Sequence, residues 1–176
     1  MRKLSVFVAA SMDGFIAGPN GDMSFLSKVH KEGEDYGYQH FIQTVDTVIM
    51  GRKTYDWVMQ QVDEFPHKDK ETYIITQNPR AQEEKVRFYN GNITHLVNDL
   101  KLKPGKNIFC DGGAEVINML LAHNLIDDFI ISVIPVLVGE GTRLFQNPQN
   151  KYQMILLNAH RYSTGLVQLH YQVNYG

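Results

Sequence analysis

The chain has 176 residues, of which 43% are hydrophobic and 20% charged, and its net charge is -2. These values predict one globular domain over residues 1–176. They give no electrostatic reason to expect nucleic acid or an anionic membrane as a partner. The single cysteine, Cys110, excludes an intrachain disulfide. With no run near the ~20 apolar residues of a membrane span and no signal-peptide pattern, a cytoplasmic protein is expected.

Short apolar, β-branched runs bounded by turn residues predict strands, with helical patterns between them. The predicted strands are Leu4–Ala10, Thr47–Met50, Thr72–Thr76, Ile93–Leu96, Asn107–Cys110, Asp128–Val136, Tyr152–Ala159 and Leu166–Val173. The predicted helices are Glu34–Thr44, Thr54–Gln61, Asn98–Leu102 and Ala114–Asn124. Alternating strands and helices indicate parallel crossovers, and the two long final strands indicate a hairpin. The prediction is an α/β fold with a mixed, mainly parallel sheet flanked by helices and a C-terminal antiparallel hairpin.

The stretch "MGRKT" joins a predicted strand to a predicted helix. Gly51 ends the strand, Arg52 and Lys53 add two cations, and Thr54 is a candidate helix cap. Cations beside an open helix N-terminus suit an anion. A solvated basic turn is the alternative interpretation of this stretch.

The stretch "CDGGAEV" forms a second junction of the same kind, with Gly112 and Gly113 between strand and helix. The free N–H groups of a helix N-terminus suit a phosphate, and glycine lets the phosphate approach the backbone. Alone, this junction could be only a tight turn, and the usual G-x-G-x-x-G fingerprint is absent. Two such junctions at the carboxyl ends of strands are nevertheless typical of a dinucleotide site.

Two further segments are candidates for a substrate side. The glycine-rich loop after the first strand is either a surface connection or a lid, for which Ala17–Asp22 is the candidate. Asp35 is either a charge favoured at a helix start or a carboxylate that faces a pocket and takes part in proton transfer. The seven histidines and Cys110 do not pair at metal-ligand spacing, so no metal site is predicted.

Taken together, these segments resemble the dihydrofolate reductase superfamily. "SVFVAASMDGFIA" resembles its first strand and mobile loop, and "VIMGRKTYDWV" resembles its strand–G-R-x-T–helix motif. "IFCDGGAEVINMLL" resembles its strand–Gly-Gly–helix motif, in which the family has a cis peptide between the glycines. Within the superfamily, "GGAEVINMLLAHNLIDDFIISVIPVLVGEGTRLF" is more similar to the reductase domain of the bifunctional riboflavin-biosynthesis enzyme.

The resemblance implies that the protein binds NADPH. It places Ala9 and Ile16 at the nicotinamide, and Thr76 and Gln77 on the adenosine side. The implied first phosphate junction is Gly51, Arg52, Lys53 and Thr54, with Arg52 meeting the 2′-phosphate, and the implied pyrophosphate junction is Gly112, Gly113, Ala114, Glu115 and Val116. Asp35 matches the acidic residue with which dihydrofolate reductases protonate the pterin.

The chain departs from true folate enzymes at several points. Glu115 stands where many of them have a cation, the loop after the first strand has no tryptophan, and no arginine matches the one that grips the folate tail. The expected function is therefore NADPH-dependent hydride transfer to a pterin-like or ribosylaminopyrimidine-like substrate, as in 5-amino-6-(5-phosphoribosylamino)uracil reductases. A true dihydrofolate reductase and a relative that binds NADP without activity are the alternatives. By analogy with the riboflavin reductases, a homodimer is expected.

Overall fold

The computed structural model describes residues 1–78, 80–146 and 150–176. Its strands are β1 (Leu4–Ser11), β2 (Phe15–Ala17), β3 (Val45–Gly51), β4 (Glu71–Ile75), β5 (Val86–Tyr89), β6 (Asn107–Gly112), β7 (Asp128–Ile134), β8 (Thr142–Arg143), β9 (Gln153–Arg161) and β10 (Val167–Asn174). Its α-helices are α1 (Tyr38–Gln43), α2 (Arg52–Gln61), α3 (Ile93–Leu102) and α4 (Ala114–Ala122). Two 3-10 segments, Pro19–Gly21 and Ser24–Val29, lie between β2 and α1.

Eight strands form one sheet in the order β5-β4-β3-β6-β1-β7-β10-β9, while β2 and β8 pair separately. The six strands from β5 to β7 are parallel, and β10 is antiparallel to both β7 and β9. The predicted fold class is confirmed, including the C-terminal hairpin β9–β10. The strands β6 and β3 lie on one side of β1 in the sheet, and β7 lies on the other. Because β3, β6 and β1 are parallel, their carboxyl ends lie at the same edge of the sheet, where sheets of this kind bind ligands.

The central strands are buried on both faces, as parallel strands between helices usually are. On one face, Val6 and Cys110 join the main apolar cluster with residues of α3 and α4. On the other face, Phe109 packs with Phe41 of α1 and with Val48. Burial raises the pKa of the Cys110 thiol to about 12, so this cysteine is an inert core residue.

The predicted strand Ile93–Leu96 is wrong, because these residues form the first turn of α3. The Asn92 side chain accepts a hydrogen bond from the backbone N–H of His95 at 3.1 Å and so caps the helix. The strand at this edge of the sheet is β5, which was not predicted because it has only four residues and Arg87 interrupts its apolar character.

The predicted helix Glu34–Thr44 is too long at its start. Tyr36 and Gly37 have φ angles of 55° and 81°, in the left-handed region that a right-handed helix cannot contain. The helix therefore begins at Tyr38 and contains only six residues. Among the described residues, no helix has the length and apolar character that crossing a membrane requires.

Candidate functional site

The two glycine junctions lie against each other at the carboxyl edge of the sheet. β3 and β6 are parallel neighbours, with Met50 of β3 paired to Gly112 of β6. A Cβ atom added to Gly51 would lie 3.2 Å from Val116 Cγ2 and 3.7 Å from the backbone nitrogen of Gly113. Any side chain at Gly51 would therefore press on the second junction, and the two junctions form one composite surface.

Both helices that start at this surface have open N-termini. α2 follows Gly51 and α4 follows Gly113, and neither helix receives a side-chain cap from the described residues. Their first N–H groups are thus available to a ligand with negative charge. The prediction that Thr54 caps α2 is wrong, because the helix begins two residues earlier, at Arg52.

Thr54 lies instead against the second junction. A Cβ on Gly113 would be 3.0 Å from Thr54 Oγ1, which is closer than side chains normally approach. Gly112 has a φ of 93°, which only glycine adopts without strain, and the Gly112-Gly113 peptide is cis, as the family resemblance implied. Gly113 therefore lets Thr54 approach the start of α4 more closely than any residue with a side chain would.

Charged side chains surround this surface. The Arg52 Nε donates to Asp56 Oδ2 at 2.6 Å, and its guanidinium lies over the Phe88 ring at 5.9 Å. Lys53 Nζ lies 3.2 Å from Glu115 Oε1, and these two side chains are 87% and 74% exposed. Because so exposed a pair contributes little stability, both side chains can turn toward a ligand at little cost.

The structure brings most, but not all, of the other predicted cofactor residues to this edge. Thr76 and Gln77 follow β4, whose Ile75 is paired with Gly51. The side chains of Ala114 and Val116 are buried, so only their backbone can face a ligand. Ile16 lies in β2, where its side chain packs against the main apolar cluster.

A cavity of about 520 Å³ opens on the face of the sheet that carries α1. Ala9 of β1 and Ser132 of β7, which are register partners, are in its wall. The other lining residues are Phe7, Leu26, Ser27, Val29, His30, Lys31, Glu34, Asp35, Tyr36, Tyr38, Ile134 and Leu166. The cavity thus contains two sequence-predicted site residues, Ala9 and Asp35, and its mixed apolar and polar wall is typical of a small-molecule site.

Asp35 lies in this wall just before α1, outside the helix. Its carboxylate accepts hydrogen bonds from the backbone N–H of Gln39 at 2.7 Å and of Gly37 at 3.0 Å. These bonds, that of Gln39 first, lower the pKa of Asp35 below its ordinary value. The group is therefore an ionised hydrogen-bond acceptor at neutral pH.

Sequence reasoning missed a polar pair beside the glycine junction. His67 Nε2 lies 2.9 Å from Asp111 Oδ2, and the histidine side chain is only 5% exposed. Asp111 could have been noticed, since it is a carboxylate that ends an apolar strand directly before the glycines. His67 gave no signal, because it lies in an irregular segment between α2 and β4 and reaches the site only through the fold.

The loop after β1 is held by a second carboxylate. Asp13 accepts hydrogen bonds from the Ser11 hydroxyl and from the backbone N–H groups of Val138 and Gly139. These bonds, that of Ser11 first, lower the pKa of Asp13 to about 2. Asp13 therefore ties the segment after β7 to the turn between β1 and β2.

Comparison with known proteins places the chain among reductase-like domains. A family model described as the RibD C-terminal domain matches residues 2–168. The uncharacterized protein YwjB of Bacillus subtilis (strain 168) is 41% identical over 171 residues, which cover 97% of this chain and 97% of YwjB.

Solved structures show the same fold. A protein from Shewanella sp. PV-4, provisionally described as a riboflavin biosynthesis protein, superposes with a TM-score of 0.89 and 27% identity, covering 98% of this chain and 99% of that one. The dihydrofolate reductase of Enterococcus faecalis, solved as a complex with NADP(H), superposes with a TM-score of 0.65 and 16% identity, covering 98% and 96%. At that identity the second likeness concerns the fold alone.

Proposed function

The chain belongs to the RibD C-terminal domain family, and on this premise we propose that it is an NADPH-dependent reductase of a ribosylaminopyrimidine-like or pterin-like heterocycle. One observation carries the proposal. Two open helix N-termini, at Arg52 and Ala114, meet at the carboxyl edge of the sheet next to the strand whose Ala9 is in the cavity wall. A dinucleotide that reaches from the junctions toward β1 would bring its reactive end to the cavity.

The residues at the junctions fit a phosphate-bearing cofactor. Gly113 directly precedes the uncapped start of α4, where a pyrophosphate would receive N–H groups, and it carries no side chain that would cover them. Arg52 and Lys53 add cations at the neighbouring helix start, with Arg52 the candidate for a 2′-phosphate. Thr76 and Gln77 are the candidates for the adenosine side. The nicotinamide, when bound, would supply the hydride.

The cavity fits a flat polar heterocycle. Phe7 and Tyr38, whose ring centroids are 5.6 Å apart, give it an aromatic side on which a flat ring can pack. The ionised Asp35 carboxylate would accept hydrogen bonds from amino or ring N–H groups and so orient the substrate. The ribosylaminopyrimidine substrate is favoured over dihydrofolate because the chain has Glu115 where many folate enzymes have a cation and lacks an arginine that matches the one that grips the folate tail.

The test is a turnover assay with two substrates. Oxidation of NADPH is followed by absorbance with 5-amino-6-(5-phosphoribosylamino)uracil and, separately, with dihydrofolate. We expect turnover of the first compound and little of the second. Steady turnover of dihydrofolate would instead identify a folate enzyme. NADPH binding without turnover of either compound would indicate a relative that binds the cofactor without this chemistry.

We also propose that the protein is a homodimer formed through β9. In the described part of the chain this edge strand pairs with β10 alone, and all nine of its residues are exposed. Four consecutive apolar side chains, Met154–Leu157, are exposed by 37–52%. A long apolar edge strand that stays uncovered promotes aggregation, so a second copy is a natural cover.

Sedimentation analysis tests the dimer. We expect the wild type to sediment as a dimer and the double variant Ile155→Lys/Leu157→Lys as a monomer. Leu102→Lys, at an apolar position that is 77% exposed on α3, is the matched control and should remain dimeric. A monomeric wild type would contradict the proposal.

A further inference from the structure

The pair His67–Asp111 is an unusual feature of this site. The imidazole of His67 is enclosed by aromatic rings, with the Phe65 centroid at 5.5 Å and the Phe109 centroid at 6.0 Å. Its Nε2 lies 2.9 Å from Asp111 Oδ2. A nearly buried polar pair costs desolvation free energy, and apolar residues of similar volume would often fold as well or better. Stability alone therefore does not account for the pair.

The contacts of His67 show which face of the sheet Asp111 occupies. The register of β3 and β6 shifts between Cys110 and Gly112, so strand alternation does not decide the side of Asp111. His67 contacts both the Phe109 ring and Asp111 Oδ2, which places Asp111 on the α1 face, while Cys110 faces the opposite cluster. Cys110 is paired with Val6 of β1, and the next residue of β1 is Phe7, which lines the cavity. Asp111 is thus one strand away from the cavity residue Phe7 and directly precedes the glycine junction, outside the residues that line the cavity itself.

Electrostatics agree with this placement. Burial and then the negative charge of Asp111 raise the pKa of Tyr38, another cavity residue, so the carboxylate lies within electrostatic range of the cavity wall. The Asp111 side chain is 29% exposed. Among the described residues, His67 is the one hydrogen-bond partner of its carboxylate, and that bond uses Oδ2. Oδ1 is left to accept a hydrogen bond from a ligand.

We propose that His67 is a positioning residue: its Nε2–H donates to Asp111 Oδ2 and thereby holds Oδ1 toward an amino group of the substrate heterocycle. This inference rests on the proposed function, because it names how the same cavity recognises an aminopyrimidine. The ring contacts with Phe65 and Phe109 fix the plane of the imidazole, so the direction of its hydrogen bond is fixed as well. An aspartate without such a partner would rotate about its side-chain bonds and lose that direction.

The test uses 5,6-diaminouracil as the probe, titrated by calorimetry into the wild type and three variants. Gln places its amide nitrogen about where the histidine has Nε2, so His67→Gln should keep affinity within threefold of the wild type. His67→Phe keeps an aromatic ring in the same aromatic surroundings but removes the donor, and we expect at least a tenfold loss. Asp111→Asn should lose affinity to a similar extent.

Two controls separate positioning from general damage. The affinity for NADPH should stay within twofold in all three variants, since the phosphate junctions are unchanged. If His67→Phe does not fold, His67→Asn replaces it, because its amide is too short to reach Asp111 and it should show the same tenfold loss. Retained affinity in a donor-free variant, an equal loss in His67→Gln, or no binding of the probe to the wild type would each overturn the proposal.

Failure of this inference can be told apart from failure of the proposed function. If the binding pattern holds but no heterocycle is reduced with NADPH, the reductase proposal falls while the role of His67 in binding stands. If the wild type reduces 5-amino-6-(5-phosphoribosylamino)uracil and His67→Phe does so with the same kcat and KM, the role of His67 falls and the reductase proposal stands.

Discussion

On the β3–β6 side of the proposed site, the junctions after Gly51 and Gly113 offer backbone N–H groups to a ligand, whereas on the β1–β7 side the cavity offers side chains. The junctions are each built from a few consecutive residues. The cavity joins segments as distant in the chain as Phe7 and Leu166. Backbone donors persist through most substitutions and are lost mainly when a side chain is added at a glycine of a junction. A side-chain cavity is sensitive to single changes of charge.

The largest effect is expected when a side chain is added at Gly113. Gly113→Ala should lower the affinity for NADPH at least tenfold, or about 1.4 kcal/mol, and should also lower stability, because the new Cβ would lie 3.0 Å from Thr54 Oγ1. Calorimetric titration with NADPH and thermal unfolding measure the two losses.

The double variant Gly113→Ala/Thr54→Ala, compared with Thr54→Ala, removes that clash. It should recover the stability but not the NADPH affinity. Recovery of both would mean that Gly113 serves the turn alone. An unchanged NADPH affinity in Gly113→Ala itself would lead to the same conclusion.

A smaller effect is expected from the charge beside the first junction. Arg52→Ala should weaken NADPH binding several-fold to tenfold while NADH binding changes less than twofold, because only NADPH carries the 2′-phosphate. Arg87→Ala is the matched control, since Arg87 is also paired with a carboxylate, Glu71 at 3.2 Å, and lies over a ring, Tyr73 at 5.7 Å. If Arg52→Ala lowered the affinity for NADPH and for NADH equally, Arg52 would not bind the 2′-phosphate.

A substitution in the cavity should lower turnover of the heterocycle without changing the affinity for NADPH. Asp35→Asn should reduce kcat/KM for the heterocycle about tenfold, since an ionised acceptor is lost, and should keep NADPH affinity. Asp69→Asn is the control, because Asp69 also has a lowered pKa, from its hydrogen bond with Lys70, but lies outside both the cavity and the candidate lid. Normal turnover by Asp35→Asn would show that Asp35 only accepts hydrogen bonds from the neighbouring backbone and has no role in substrate binding.

The smallest change concerns the loop after β1. The pKa of Asp13 is lowered from 3.8 to about 2, so its contribution to stability is complete above pH 3.8 and is lost as the pH falls toward 2. Asp13→Asn should therefore be less stable than the wild type in urea unfolding at pH ~6, and the difference should shrink at pH ~2. A difference that does not depend on pH would show that the charge of Asp13 is irrelevant.

The two regions also differ in how far the sequence alone predicts them. The junctions at Gly51 and Gly113 were predicted because strand, glycine and helix follow one another within a few residues. The start of α2 was misplaced by two residues, since Thr54 looked like a cap while Gly51 occupies that position. This two-residue error in the start of α2 did not change the prediction that an anion binds at the N-terminus of that helix.

The cavity was much harder to predict. Asp35 was named, but its helical placement was wrong because Tyr36 and Gly37 take left-handed conformations that a helical pattern does not reveal. His67 and Asp111 are 44 positions apart and meet only through the packing of the segment after α2 against β6. Contacts of this kind depend on tertiary structure, which local periodicity does not encode.

One measurement tests most directly whether the two regions serve two ligands. In nitrogen-15 NMR spectra, added NADPH should shift the backbone amides of Arg52–Thr54 and Gly113–Val116, whereas 5,6-diaminouracil should shift those around Asp35 and Ser132. If NADPH left the amides at both junctions unshifted, or if both ligands shifted the same set, the account of a backbone cofactor clamp beside a side-chain substrate cavity would be contradicted.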